Sequence, residues 1–413
     1  MVSDEQVLRE LFAAASLAAG PDGKFSARLP AAPKGRTIVI GAGKAAGSMA
    51  RAFEVEWGRP CEGLVVTRYG HAAPTQFIEV VEAAHPVPDE AGLRAAERIL
   101  ALAQSAGPDD LVICLMSGGA SSLLTLPAPG LTLADKQEIN RHLLKSGAPI
   151  TVMNRARRAL SSIKGGRLAA AVAPARLVTY IISDVPGDDP AVVGSGPTIP
   201  DIADPEVVLR ELKAYGIPVS EKIETAIRAN AAMDAAPPGE VHMIATPRSA
   251  LVAAADKARE LGLNPLVLGD AIEGEAREVA TVLAGISRSV VLYDDPVAKP
   301  CVLISGGETT VTVRGKGRGG RNAEFLLALA LALRDEASIS ALACDTDGID
   351  GSEDNAGAWI DAAFFEAASA KGVDLVLHLA NNDAYSAFAA LDRLIVTGPT
   401  LTNVNDFRAI VIR

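Results

Sequence analysis

The sequence predicts an α/β protein of two domains, each a doubly wound sheet covered by helices. Three observations carry this. Short Val- and Ile-rich runs alternate with longer segments of helical period along the whole chain. Several of the short runs show no polar alternation, as expected of parallel strands buried on both faces. A small, Pro-rich, turn-forming stretch, Ala235-Ala236-Pro237-Pro238-Gly239-Glu240, divides the chain into residues 1–235 and 240–413, and each block has the size of one α/β domain.

Taken in order, the first 20 residues form an amphipathic helix. Its acids come early and it has no basic n-region, so a helix rather than a signal peptide is expected there. Strands are expected at Arg36–Ile40, Gly63–Thr67, Ile78–Glu82, Leu111–Met116, Leu177–Ile182 and Val241–Ile244. In the second block they are expected at Asn264–Leu268, Cys301–Ile304, Thr310–Arg314, Ile339–Cys344 and Asp392–Val396. Helices are expected at Ala46–Glu56, Asp89–Ala106, Thr132–Ser146, Pro205–Tyr215, Ser249–Leu261, Glu273–Ile286 and Arg321–Arg334. Ligands of such sheets bind beyond the carboxyl ends of the strands, so glycine-rich turns after strands are where function is sought.

Composition narrows the function. The 413 residues carry a net charge of −11 and only 4% aromatics, against a nucleic-acid surface. No apolar run reaches the ~18–20 residues of a membrane span, so a cytoplasmic location is expected. The four cysteines (Cys61, Cys114, Cys301, Cys344) lack metal-type spacing and read as reduced and mostly buried. The five histidines form no paired ligand spacing and read as structural.

Seven segments carry chemistry. In Ile38-Val-Ile-Gly-Ala-Gly-Lys-Ala-Ala46, Gly41, Gly43 and Ala46 fit a dinucleotide fingerprint, but the next strand ends at Arg68 without the acid that would hold a ribose. Lys44 inside that turn makes sense if an anion lands there. Ser117-Gly118-Gly119-Ala-Ser121-Ser122 offers amides and hydroxyls to a carboxylate or phosphate. Asn154 to Arg167 holds five cations; Arg155 and Arg158 read as a solvated helix face, and Lys164 beside Gly165-Gly166 as an anion contact. Ser183-Asp184-Val-Pro-Gly-Asp188-Asp189 follows a strand and suits a hydroxyl or Mg²⁺, or simple turn capping. Ser305-Gly306-Gly307-Glu308 and the basic loop Gly315-Lys-Gly-Arg318-Gly-Gly-Arg321-Asn322 suit polyphosphate at a helix N-terminus. Asp345-Thr-Asp347-Gly-Ile-Asp350 suits Mg²⁺–nucleotide, and Thr397-Gly-Pro-Thr-Leu-Thr-Asn-Val-Asn-Asp406 is a further polar turn.

These segments, seven motifs in order over nearly the whole chain, resemble the class II glycerate kinases. Proteins of that family often carry the name hydroxypyruvate reductase and a C-terminal MOFRL domain. The resemblance implies an N-terminal Rossmann-like domain, a C-terminal α/β MOFRL domain and an interdomain cleft. It implies transfer of the γ-phosphoryl of ATP to the 2-hydroxyl of D-glycerate, with ATP and Mg²⁺ as cofactors; a homodimer is left open. Joined to the turn chemistry above, it makes Lys44, Lys164, Asp184 and Arg318 the candidate catalytic residues. Gly43, Ser117, Gly118, Gly119, Ser121, Gly306, Gly307, Glu308, Arg321 and Asn322 become candidates for substrate or nucleotide binding, and Asp189 and Asp347 for metal. Two positions depart from the family pattern: Ala159 stands where it has histidine, and Leu401 where it has glycine. The alternatives are an NAD(P)H-dependent hydroxypyruvate reductase and an anion- or nucleotide-binding sensor.

Overall fold

The computed structural model describes residues 3–201, 203–231 and 239–413. The expected boundary stretch at 235–240 falls mostly outside them. Two compact units result: Pro21–Ile244, and a discontinuous unit of Met1–Gly20 with Ala245–Arg413.

The Pro21–Ile244 unit holds a six-stranded sheet: β1 Thr37–Ala42, β2 Glu62–Arg68, β3 Ile78–Ala83, β4 Leu111–Ser117, β5 Arg176–Ile182 and β6 Glu240–Ala245, in the order β3-β2-β1-β4-β5-β6. The pairings β2–β3, β1–β2, β1–β4 and β4–β5 are all parallel. β1 and β4 are buried along their full length, as their unbroken apolar runs foretold. The strand order reverses between β1 and β4, so the crevice of this sheet lies beyond Ala42 and Ser117. A separate helical core, which the sequence reading did not foresee, joins Ile139, Leu143, Ala156, Leu160, Val208, Leu212 and Ile227. It brings in the Ile150–Ala159 helix and corrects the reading of its arginines. Arg158 is buried and paired with Asp201 at 2.7 Å, and half-buried Arg155 meets Glu211 at 2.9 Å.

The other unit holds β7 Asn264–Glu275, β8 Cys301–Thr310, β9 Ile339–Asp345, β10 Gly357–Ile360, β11 Leu394–Ile395 and β12 Asp406–Ile412, in the order β11-β10-β9-β12-β8-β7. Here the expectation of a parallel sheet is corrected. β12 lies between β8 and β9 and runs antiparallel to both, β9–β10 and β10–β11 are also antiparallel, and only β7–β8 is parallel among the described pairings. β12 was not foreseen, although all seven of its residues are buried. The strand expected at 310–314 does not form; β8 runs on through Thr310 instead. The Asp4–Ala19 helix packs on the Pro247–Glu260 helix of this unit, so it belongs here and not with the block that follows it in sequence.

Candidate active site

At the β1–β4 crevice the two glycine turns close on each other. Gly43, at φ 135°, lies so near β4 that a Cβ there would stand 2.1 Å from Ser117 Oγ. The Gly43 amide donates to Val66 O (3.1 Å), Lys44 N–H to Gly118 O (2.8 Å), Ala45 N–H to Ser117 Oγ (3.0 Å) and Ala46 N–H to Gly43 O (3.0 Å). Four consecutive amides are thus spent inside the protein. A dinucleotide turn uses these amides for the pyrophosphate. The joint leaves the Lys44 side chain beside Gly119, where an added Cβ would lie 3.1 Å from Lys44 Cγ and 3.2 Å from His85 Nε2. His85, which reads as structural from sequence alone, has its ring in the same crevice.

Asp184 follows β5 at the same sheet edge, two positions past the Ser117–Ile182 pairing. Ser121 Oγ lies 3.0 Å from Ser195 Oγ, which reaches Asn154 Oδ1 at 3.4 Å. Lys164 is buried, its ammonium donating to the Leu124 carbonyl just past the Ser117–Leu124 turn. Lys44, the 117–121 turn and Asp184 therefore follow the carboxyl ends of neighbouring strands of one sheet, and Lys164 bonds just past that turn. Asp189 is exposed, and its Oδ1 accepts the Ala191 amide at 2.9 Å, the turn-capping role.

In the second unit the hub is Asp406, which reads from sequence as the end of a polar turn and stands at the start of β12. Its buried carboxylate accepts from Arg321 Nε (2.6 Å), Asn322 Nδ2 (2.8 Å) and Thr309 N (3.1 Å), and pairs with buried Arg408. Burial opposes its charge, but Arg408 and Arg321 hold its carboxyl below the usual range. Arg321 also binds Asp345 at 2.8 Å and Glu308 at 3.5 Å; burial works against the guanidinium, yet the three carboxylates keep it firmly charged. Asp350 accepts the Asn322 and Ala323 amides at 2.9 and 2.8 Å, capping the Arg321–Ala332 helix.

The glycine-rich loop serves a purpose not foreseen. Its Arg314 and Gly315 amides donate to Asn382 Oδ1, Lys316 N to Asn381 Oδ1, Gly317 N to Asn381 O and Arg318 N to Asp383 Oδ1. A Cβ at Gly315 would stand 2.0 Å from Asn381 O. The glycines let the loop lie against the 381–383 turn, and the amides of 314–318 are occupied there. The Arg318 side chain remains exposed, over the Tyr385 ring at 4.5 Å and paired with Glu353. Gly306 and Gly307 sit in β8 against β12 and β7, where a Cβ on Gly307 would meet Ile272 O at 2.1 Å. Asp347 is buried, its Oδ1 accepting the Ile349 amide.

No group of three or more His, Cys, Asp or Glu among the described residues is placed to hold a metal. Of the two metal candidates, Asp189 caps a turn on the surface and Asp347 is buried at a turn of its own.

The comparisons with known proteins agree with this architecture. Residues 7–229 match a domain of unknown function, DUF4147, and residues 301–406 match the MOFRL family. A D-glycerate 2-kinase of Thermotoga maritima is 40% identical over 388 residues, covering 94% of this chain and 93% of that protein. The chain belongs to the glycerate kinase family. A crystal structure of a glycerate kinase from Thermotoga maritima superposes with a TM-score of 0.90 at 38% identity, over 99% of each chain. An Agrobacterium vitis protein with the provisional name hydroxypyruvate reductase is 50% identical over 419 residues, covering 100% of this chain and 95% of that protein. Membership of this family makes the chain a kinase. No described helix is long and apolar enough to cross a membrane.

Proposed function

We propose that this glycerate kinase family member transfers the γ-phosphoryl group of ATP to the 2-hydroxyl of D-glycerate, giving 2-phosphoglycerate, in the cytoplasm. The observation that carries the reading is the closed joint of the two glycine turns: it spends the amides a nicotinamide dinucleotide would need and leaves a lysine, a histidine and a Ser-Gly-Gly turn at the crevice. Phosphoryl transfer asks a protein mainly for positioning and for cations near the developing charge. In this reading Lys44 meets the transferred group, Asp184 orients the acceptor hydroxyl, and the Ser117–Ser121 turn holds the acid. In the other unit Arg318, Arg321, Asn322 and Glu308 remain the candidates for catalysis and nucleotide binding that the resemblance implies. Mg²⁺ would come on the nucleotide's own phosphates and water, with Asp189 and Asp347 the carboxylates the resemblance offers it, and no step is assigned to it.

The test is a pair of assays on one preparation. ADP release is followed with D-glycerate, ATP and Mg²⁺; cofactor loss is followed with hydroxypyruvate and NADH or NADPH. Glycerate-dependent ADP release is expected, falling about 100- to 1000-fold in Lys44→Ala, the scale of losing one group that stabilises transition-state charge. Cofactor oxidation without ADP release would overturn the reading in favour of the reductase.

A further inference from the structure

Beyond the crevice, the Arg157 guanidinium reaches Asn140 on the helix that carries Lys136, and Lys136, Arg157 and Lys164 repel one another without an ion pair to a carboxylate. Lys136 lies on the Leu133–Lys145 helix, Arg157 on the Ile150–Ala159 helix and Lys164 in the turn that follows. Arg157 is held by the oxygens of two neutral amides, Asn140 Oδ1 (3.0 and 3.2 Å) and Asn154 Oδ1 (3.4 Å). Lys164 is 1% exposed and bonds to the Leu124 carbonyl. No ion pair to any of the three occurs among the described residues, although acids are abundant in the chain and Asp135, next to Lys136, turns to Lys222 instead.

Such a cluster is costly as it stands. Burial drives the Lys164 ammonium well below its ordinary value, and repulsion from Lys136 and Arg157 adds to this. Burial likewise brings Lys136 down to about 7, with Arg157 contributing. Like charges gathered where solvent is scarce raise one another's energy, and an anion among them lowers it. The cluster also adjoins the crevice: Gln137, the neighbour of Lys136, donates to Pro88 O close to His85, and Asn154 links Arg157 through Ser195 to Ser121.

We propose that Lys136, Arg157 and Lys164 form the pocket that binds the carboxylate of the acceptor hydroxy acid, an assignment that rests on the kinase reading above. Arg157 offers a planar fork, fixed by two asparagines, that matches a carboxylate in two-point contact. Lys136 and Lys164 supply point charges on either side. The Ser121–Ser195 hydroxyls between the cluster and the Ser-Gly-Gly turn then lie along the body of the acid, with its hydroxyl toward Lys44 and Asp184.

The experiment is calorimetric titration of D-glycerate into the full-length protein without nucleotide, with glycerol as the probe lacking a carboxylate. Lys136→Gln should weaken D-glycerate at least tenfold, Lys136→Arg should restore it, and the exposed Lys145→Gln on the same helix should leave it unchanged. In turnover, KM for glycerate should rise by the same factor while KM for ATP holds. Equal glycerate affinity in Lys136→Gln and wild type overturns the pocket and leaves the kinase reading intact. Lys136-dependent binding without any phosphorylation supports the pocket and overturns the kinase reading. Should Lys136→Gln fail to fold, acylation of the wild-type protein decides: Lys136 should be shielded by D-glycerate and not by glycerol, and equal labelling in both overturns the assignment.

Discussion

At the residue scale, Leu401 shows what a departure from the family pattern costs. Its backbone sits at φ 61°, in the left-handed region where a side chain other than glycine is strained by about 1–2 kcal/mol. The loop cannot relax, because Thr400 ties to Thr346 and Asp347 on one side and Thr402 donates to Ala19 on the other. Leu401→Gly therefore removes strain while losing a half-buried side chain and adding chain entropy, and these offset. We expect its stability to stay within about 1 kcal/mol of wild type. Leu333→Gly, at φ −104° and 5% exposed, has no strain to relieve and should lose about 3 kcal/mol or more. Denaturant midpoints of the two variants check this; equal losses would mean that Leu401 is not strained. Both departures were legible in the sequence, but only the backbone angle says what Leu401 does. Ala159 lies buried in the helical core, its carbonyl accepting from Asn230, and nothing in the structure explains the replacement.

At the element scale, the Arg321–Ala332 helix depends on a cap that titrates in an unusual range. Asp350 is fully buried, and burial pushes its carboxyl up to about 6 even though two helix amides bind the ionised form. The folded chain thus keeps a proton at this position that the unfolded chain, with an ordinary aspartate near 4, has already lost. Between about 4 and 6 the folded state binds more protons, so this group's contribution to stability falls as pH rises through that window. Other carboxylates act in the opposite direction, and subtraction isolates this one: Asp350→Asn should lose the falling component, making stability rise more steeply from pH 4 to 6 than in wild type. Chemical denaturation at both pH values reads it, and parallel profiles would place the proton elsewhere. The same loops show where sequence reading stops. Strands such as β1 and β4 were legible because unbroken apolar runs need cover on both faces. The antiparallel place of β12 was not, because strand direction and neighbour choice are tertiary. Glycines 315–320 were legible as a special turn, but the groups that consume its amides, Asn381 to Asp383, lie some 65 residues away.

At the scale of the whole molecule, the first helix crosses the order of the sequence. The DUF4147 match begins at residue 7, yet the Asp4–Ala19 helix is part of the unit that carries the MOFRL match. The packing is apolar along the helix: Val7, Leu8, Leu11, Phe12, Ala15 and Ala19 are buried, and Phe12 meets Phe407 of β12 at 5.8 Å between centroids. Polar ties fix both ends, Asp4 to Ser340 and Arg413, and the Ala19 carbonyl to Thr402. At about 1.5–3 kcal/mol for each large apolar side chain, the four larger residues contribute roughly 6–12 kcal/mol as an upper estimate. That equals the whole stability of an ordinary domain, about 5–15 kcal/mol. A chain of residues 245–413 alone should therefore expose the β12 face and fail to melt cooperatively, whereas residues 21–244, a compact unit without this helix, should fold without it. Adding a peptide of residues 1–20 to the 245–413 fragment should restore a cooperative melt whose midpoint climbs with peptide concentration, as any ligand of the folded state requires. A fragment that melts as sharply without the peptide as the intact chain does would show that the helix covers a unit already stable, and the burial estimate would then be too high by most of its value.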